Sequence, residues 1–231
     1  LSVVELPTNP GDTIRLGSDT KSVVVVSELN VGTGTIYLDA PLGGIALGSK
    51  VTAGLLDVSS KNELTLTTDI DKLVVDMTGN GALTVSQTGN LVIPHLQVAG
   101  GDVTFDVQGG NITFTTTVNS FDTTARALTV NSNGVTTFGG ALGALHALSS
   151  LTTDAGTAGS VAINGGSVTT TGAQSYGEAA TLGAATTLTS IGSGAITFGN
   201  TLNGAQTLAV NTSGVTTFSG AVGGTTALTS V

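Results

Sequence analysis

The chain reads GVTTFGGALGALHALSSL from Gly134 to Leu151 and GVTTFSGAVGGTTALTSV from Gly214 to Val231. The two stretches stand 80 residues apart, and the offset divides further. Stepping by 20 from Leu128 meets Leu148, Val168, Leu188, Leu208 and Leu228. Stepping by 20 from Leu142 meets Ala162, Leu182, Leu202 and Val222. A looser column runs from Phe138 through Ala158, Glu178, Phe198 and Phe218, with Glu178 as its misfit. The spacing predicts a repeat of about 20 residues. Units of that size cannot bury a face alone and must stack on their neighbours.

Each unit holds two or three short β segments, such as ALTV (127–130) and VTTF (135–138), broken by Gly, Asn or Ser. No room is left for a helix. Coiling the chain so that equivalent strands stack in parallel gives a β-solenoid with coils about 4.8 Å apart. The expected fold is all-β, a right-handed parallel β-helix with roughly 20-residue coils. Alternation of side chains along a strand sends Leu128 inward and Thr129 outward. The outward column, Thr129, Ser149, Thr169, Thr189, Ala209 and Thr229, reads as a hydroxyl ladder that Ala209 interrupts. A second ladder of Thr137, Thr157, Thr197 and Thr217 is interrupted at Gly177. Gly134, Gly194 and Gly214 recur at one corner and suggest positive φ there. Asn131 and Asn211 suggest an amide ladder along a turn.

Earlier coils are less even. From NITF (111–114) to ALTV there are four more residues than from AITF (195–198) to TLAV (207–210), which reads as a bulged corner. Residues 1–30, with LPTNPGD, read as a cap or inter-subunit junction; 31–126 as irregular coils; 127–231 as regular ones.

Composition agrees with this reading. Of 231 residues, 34 are Gly, none is Cys or Trp, and only 9% are charged, yet 39% are hydrophobic, too many for a disordered chain. No apolar run approaches the roughly 18 residues that span a bilayer. Residues 1–126 carry 13 acids and all 6 bases, while 127–231 carry only Asp154 and Glu178. A net charge of −9 excludes nucleic acid and anionic membranes as partners. The chain begins at Leu1 without Met, as expected of a processed chain or an excerpt.

The strings GGSVTTTG, NTSGVTTF and GGTTALTS resemble the repeats of filamentous-haemagglutinin-like and β-helical autotransporter-type bacterial exoproteins. The resemblance covers residues 100–231 well. It implies a right-handed β-helix exported to the bacterial cell surface, serving in adhesion, biofilm or surface-layer construction. TNPG at 8–11 does not match the NPN-type secretion motif of that class.

β-Helices also carry polysaccharide-cleaving enzymes, which use two carboxyl groups roughly 5–10 Å apart. Asp69 and Asp71 share a strand face about 7 Å apart and are the best candidate pair, against a solvated corner as the plainer reading. Asp69, Asp71 and Asp76 could also gather a weak Ca²⁺ site. His146 has Thr226 as its counterpart and reads as surface. His95 follows Pro94, which marks a corner or an edge. No nucleophile elbow, phosphate loop or zinc spacing occurs, so no enzyme, catalytic residue or required cofactor is expected. The Phe residues in xTF positions read as core.

The expected role is an extracellular structural or adhesive surface protein. Its partner is a further copy stacked head to tail or a longer parent chain, with surface glycans as a further class. A carbohydrate-active enzyme and an ice- or crystal-binding Thr ladder are the alternatives. The last coil stops at Val231 where the first copy carries on, so end-to-end stacking into a fibre is expected.

Overall fold

The computed structural model describes residues 9–19, 21–25, 28–154 and 159–231. Among these the chain forms 23 strands and no helix. Every strand pairing is parallel, and the strands stack as a β-solenoid of about nine turns with roughly 21-residue spacing. The cross-section has three faces. The first runs through Leu83–Thr88, Val103–Gln108, Leu128–Ser132, Leu151–Thr153, Gln174–Tyr176, Ile196–Phe198 and Thr216–Phe218. The second runs through Leu91–Val98, Ile112–Phe114, Val135–Phe138, Ser160–Ile163, Ala179–Leu182 and Leu202–Asn203. The third holds Ser167–Thr170, Thr186–Ser190 and Leu208–Asn211 in one stretch, and Val23–Val25 with Ile45–Leu47 in another. Two long strands, Val51–Ser60 and Leu64–Met77, bend across the first two faces and join them into one sheet. Within the 1–30 segment, Thr13–Gly17 pairs in register with Thr35–Ala40, and residues 1–8 lie outside the described residues.

The core is the inward half of every strand. Leu128, Leu148, Val168, Leu188 and Leu208 are all at most 3% exposed, as alternation requires. Their stacking differs from a strict 20-residue column. Leu128 sits on Leu151, 23 residues on, and Leu151 on Gln174. The step is 25 from Val103 to Leu128 and 20 from Ile196 to Thr216. The two GVTTF copies even occupy different faces: Phe138 stacks between Phe114 and Ile163 on the second, Phe218 on Phe198 on the first. Each face makes the same alternating demand, so one strand module serves on any of them. Aromatic rings fill the interior as two runs. Phe105, Phe114 and Phe138 lie 5.5 and 5.4 Å apart, and Tyr176, Phe198 and Phe218 lie 4.7 and 5.4 Å apart.

The true register also redraws the hydroxyl ladder. Thr65, Thr84, Thr104, Thr129, Thr152, Ser175, Thr197 and Thr217 stand one above another on the outside of the first face. Neither Ala209 nor Gly177 belongs to this column, and it is unbroken.

Corners are where backbones of successive coils come closest. Gly134, Gly194 and Gly214 do not adopt positive φ. A Cβ at Gly134 would instead collide with the Gly110 carbonyl and the Asn111 side chain of the coil below, and Gly194 and Gly214 face similar backbone. The need is for close approach, not for a left-handed turn. Asn131 and Asn211 lie on different faces and form no ladder. The amide ladder is at another corner, where Asn90 Oδ1 accepts the Asn111 N–H at 2.9 Å and Asn111 Oδ1 accepts the Val135 N–H at 2.7 Å. Inside the corner between the first two faces, Thr68 donates to Gln87 Oε1 at 2.6 Å, and Gln87 Nε2 donates to the Ile70 and Thr88 carbonyls, both at 2.8 Å. A side-chain amide thus closes backbone groups that the bending strand leaves open. Gln174 does the same across the core, donating to the Thr189 carbonyl at 3.0 Å while Oε1 accepts the Tyr176 hydroxyl at 3.0 Å.

Glu178, the misfit of its column, is 1% exposed, and neither carboxyl oxygen has a hydrogen-bond partner among the described residues. Burial pushes its pKa up to about 7, and the neighbouring Asp154 adds to the rise.

Two outcomes are expected. Leu188, fully buried between Val168 and Val210, should cost about 2–5 kcal/mol when changed to Ala. Thr189→Ala, one residue away on the outer side, should stay within about 0.5 kcal/mol by urea titration; equal losses would contradict the face assignment. The acid form of Glu178 is the one the fold favours. Its contribution is therefore fully present below the ordinary carboxyl pKa of 4.5 and drains away as the pH rises to about 7. Glu178→Gln should flatten the stability curve over that window and leave the variant more stable than the parent at pH 8.

Candidate functional site

The stack is interrupted at one place on the second face. Leu91–Val98 lies on the strand below it from Lys72↔Val92 to Met77↔Val98. The register slips between Lys72 and Val74, so that one residue below, Leu73, faces two above, Ile93 and Pro94. Proline has no N–H to give the ladder and is tolerated at such a bulge. On its other side the same strand pairs with Ile112–Phe114 only through Leu91, Val92 and Ile93. Beyond that point Thr115 donates its N–H to the Ile93 carbonyl at 3.1 Å and Thr116 Oγ1 donates to the Pro94 carbonyl at 3.0 Å. The chain then leaves the sheet as TTVNSFDTTAR, residues 116–126. No described strand pairs with the facing edge of residues 94–98.

The departing loop is firmly held. Val118 bridges to Leu142 of the following coil. Asn119 Oδ1 accepts the Leu145 N–H at 2.9 Å, and Ser120 Oγ donates to the Ala147 carbonyl at 2.8 Å while accepting the Arg126 N–H at 3.0 Å. The Arg126 guanidinium, 10% exposed, reaches back to Asp122 at 2.9 Å. That hydrogen bond and one from the Thr124 N–H lower the Asp122 pKa to about 2.

Between the unpaired strand edge and this loop lies a cleft of about 350 Å³, within the size range of small-molecule sites. Pro94, His95 and Gln97 form one lip; Phe121, Leu145 and His146 form much of the other. Both histidines of the chain line it. Phe121 is 45% exposed and Leu145 76%. His95 Nε2 lies 3.1 Å from Asp76 Oδ1. No Lys or Arg contributes to the lining.

The face below the cleft is acidic. The outward column Arg15, Tyr37, Asp57, Val74 and His95 follows from the register, with Asp39 and Asp76 in the flanking positions. Arg15 lies over the Tyr37 ring at 3.6 Å. Burial, then the Asp76 charge, raises the pKa of Asp57.

The three aspartates read from the sequence are not gathered into a site. Asp69 pairs with Lys50 at 3.3 Å, Asp71 is exposed, and Asp76 pairs with His95. Asp69 and Asp76 lie seven positions apart on a strand that bends from the first face to the second between them. Among the described residues no group of three His, Asp or Glu is placed to hold a metal ion. Sequence reasoning missed the cleft and Phe121, although its signal was present. The lengthened stretch between NITF and ALTV, read as a bulged corner, holds the 116–126 loop that opens the gap, and Phe121 lies in that loop outside any xTF position.

No known family, no curated protein and no solved structure matches this chain.

Proposed function

We propose that the protein is an extracellular structural and adhesive surface protein of a bacterium, of the filamentous-haemagglutinin-like kind, that builds a rod from stacked β-coils. One observation carries this reading. The coils lie on one another in parallel register through about nine turns around one continuous apolar core. Each coil contacts only its nearest neighbours, so such a stack lengthens by adding coils with the same alternation, whether of a longer parent chain or of a second copy. A head-to-tail contact between copies does not close on itself and yields a fibre. The low charge and hydroxyl-rich exterior suit a rod in contact with water along its whole length.

Electron microscopy and sedimentation of the native material should show rods or filaments with their axis along the coil stack. Compact particles of a single chain at every concentration would count against the reading.

A second reading, contact with an ordered crystal lattice such as ice, is favoured by the unbroken column from Thr65 to Thr217 at a strand spacing of about 4.8 Å. It predicts thermal hysteresis that Thr152→Lys abolishes; freezing and melting points that coincide would dispose of it.

A further inference from the structure

We propose that the cleft between residues 94–97 and the 116–126 loop binds a neutral carbohydrate, one or two pyranose rings of a surface glycan; this rests on the adhesive reading above and gives it a ligand class.

The argument begins with Phe121. The other five Phe residues belong to the two aromatic runs of the core, and Phe121 alone stands apart from them, nearly half exposed. Core packing does not explain it. Nor is it a stray residue on a loose loop, because its neighbours are fixed through Asn119, Ser120 and the Arg126–Asp122 pair. A rigidly mounted aromatic ring beside an exposed Leu145 makes a preorganised apolar platform. Around it stand groups that donate and accept hydrogen bonds without a fixed positive charge: the Gln97 amide, the Thr117 hydroxyl and the two imidazoles. An apolar wall with a rim of hydrogen-bonding groups and no Lys or Arg matches a pyranose, whose C–H face is apolar and whose edge carries hydroxyls.

Charge narrows the ligand further. The lining has no Lys or Arg, and Asp76, Asp57 and Asp39 crowd the adjoining face. Uronates, sulfated sugars and phosphates would meet repulsion with no Lys or Arg in the lining to offset it. A metal ion would lack a third ligand among the described residues.

The test uses the intact chain and saturation-transfer NMR with isothermal titration. The probes are cellotetraose, maltotetraose, chitotetraose and mannotetraose, with heparin oligosaccharide and Zn²⁺ alone as the charged comparisons. Saturable binding of at least one neutral oligosaccharide is expected, weakened about tenfold or more by Phe121→Ala and restored by Phe121→Trp. Thermal unfolding checks that each variant folds; should Phe121→Ala not fold, Gln97→Ala and His146→Ala take its place with the same expected loss. Absence of saturable binding of all four neutral probes at millimolar concentration overturns the proposal. So does stronger binding of heparin or Zn²⁺, or neutral binding that the cleft substitutions leave unchanged. Rod formation is scored separately and should survive Phe121→Ala. Loss of rods with sugar binding kept would therefore count against the assembly alone.

Discussion

The structure depends on one constraint: each coil must lie on the next in parallel register at the strand spacing that backbone hydrogen bonds impose, about 4.8 Å. Side chains on the faces can meet that spacing by stacking like on like, as Phe198 does between Tyr176 and Phe218. Corners cannot, because there the backbones themselves converge and their N–H and C=O groups turn away from the ladder. The chain meets this with three devices. Glycine removes the Cβ that would strike the coil below, as at Gly134. Asparagine carries a hydrogen bond from coil to coil, as Asn90 and Asn111 do. Buried amides such as Gln87 close carbonyls from inside. The last accounts for Gln87 and Gln174 in an otherwise apolar core.

The same constraint decides what could be read from the sequence. Burial follows from alternation along a strand, which is local, so Leu128, Leu188 and Leu208 were legible as core. Register follows from how many residues each corner uses, and that number varies. Stacking partners such as Leu128 and Leu151 were therefore not legible from a 20-residue repeat. Misreading them mixed residues of different faces into two broken ladders, of which only Thr129, Thr197 and Thr217 belong to the continuous column. It also hid that the two GVTTF copies lie on different faces. The candidate site was visible only as a surplus of residues after NITF. Nothing in one dimension says that surplus leaves the sheet rather than bulging within it, since the difference lies in whether residues 115–121 stay paired to residues 94–98.

A solenoid can tolerate that departure because its contacts are between nearest neighbours only. Where the 116–126 loop leaves, the strand below keeps its lower partner from Lys72 to Met77, and the strand network above resumes through the Val118–Leu142 bridge. Thr116 takes up the released Pro94 carbonyl, while the Asn119 and Ser120 side chains tie the loop to the Leu145 N–H and the Ala147 carbonyl of the following coil; these are residue types suited to bonds with the backbone. The interruption is thus confined to one face of two coils. It produces the one place where an aromatic ring, two imidazoles and an unpaired strand edge stand together outside the core. A regular stack offers a partner only its repeated hydroxyls; selectivity for one ligand over another has to come from a break in the repeat, and the break in this chain is built as firmly as the coils around it.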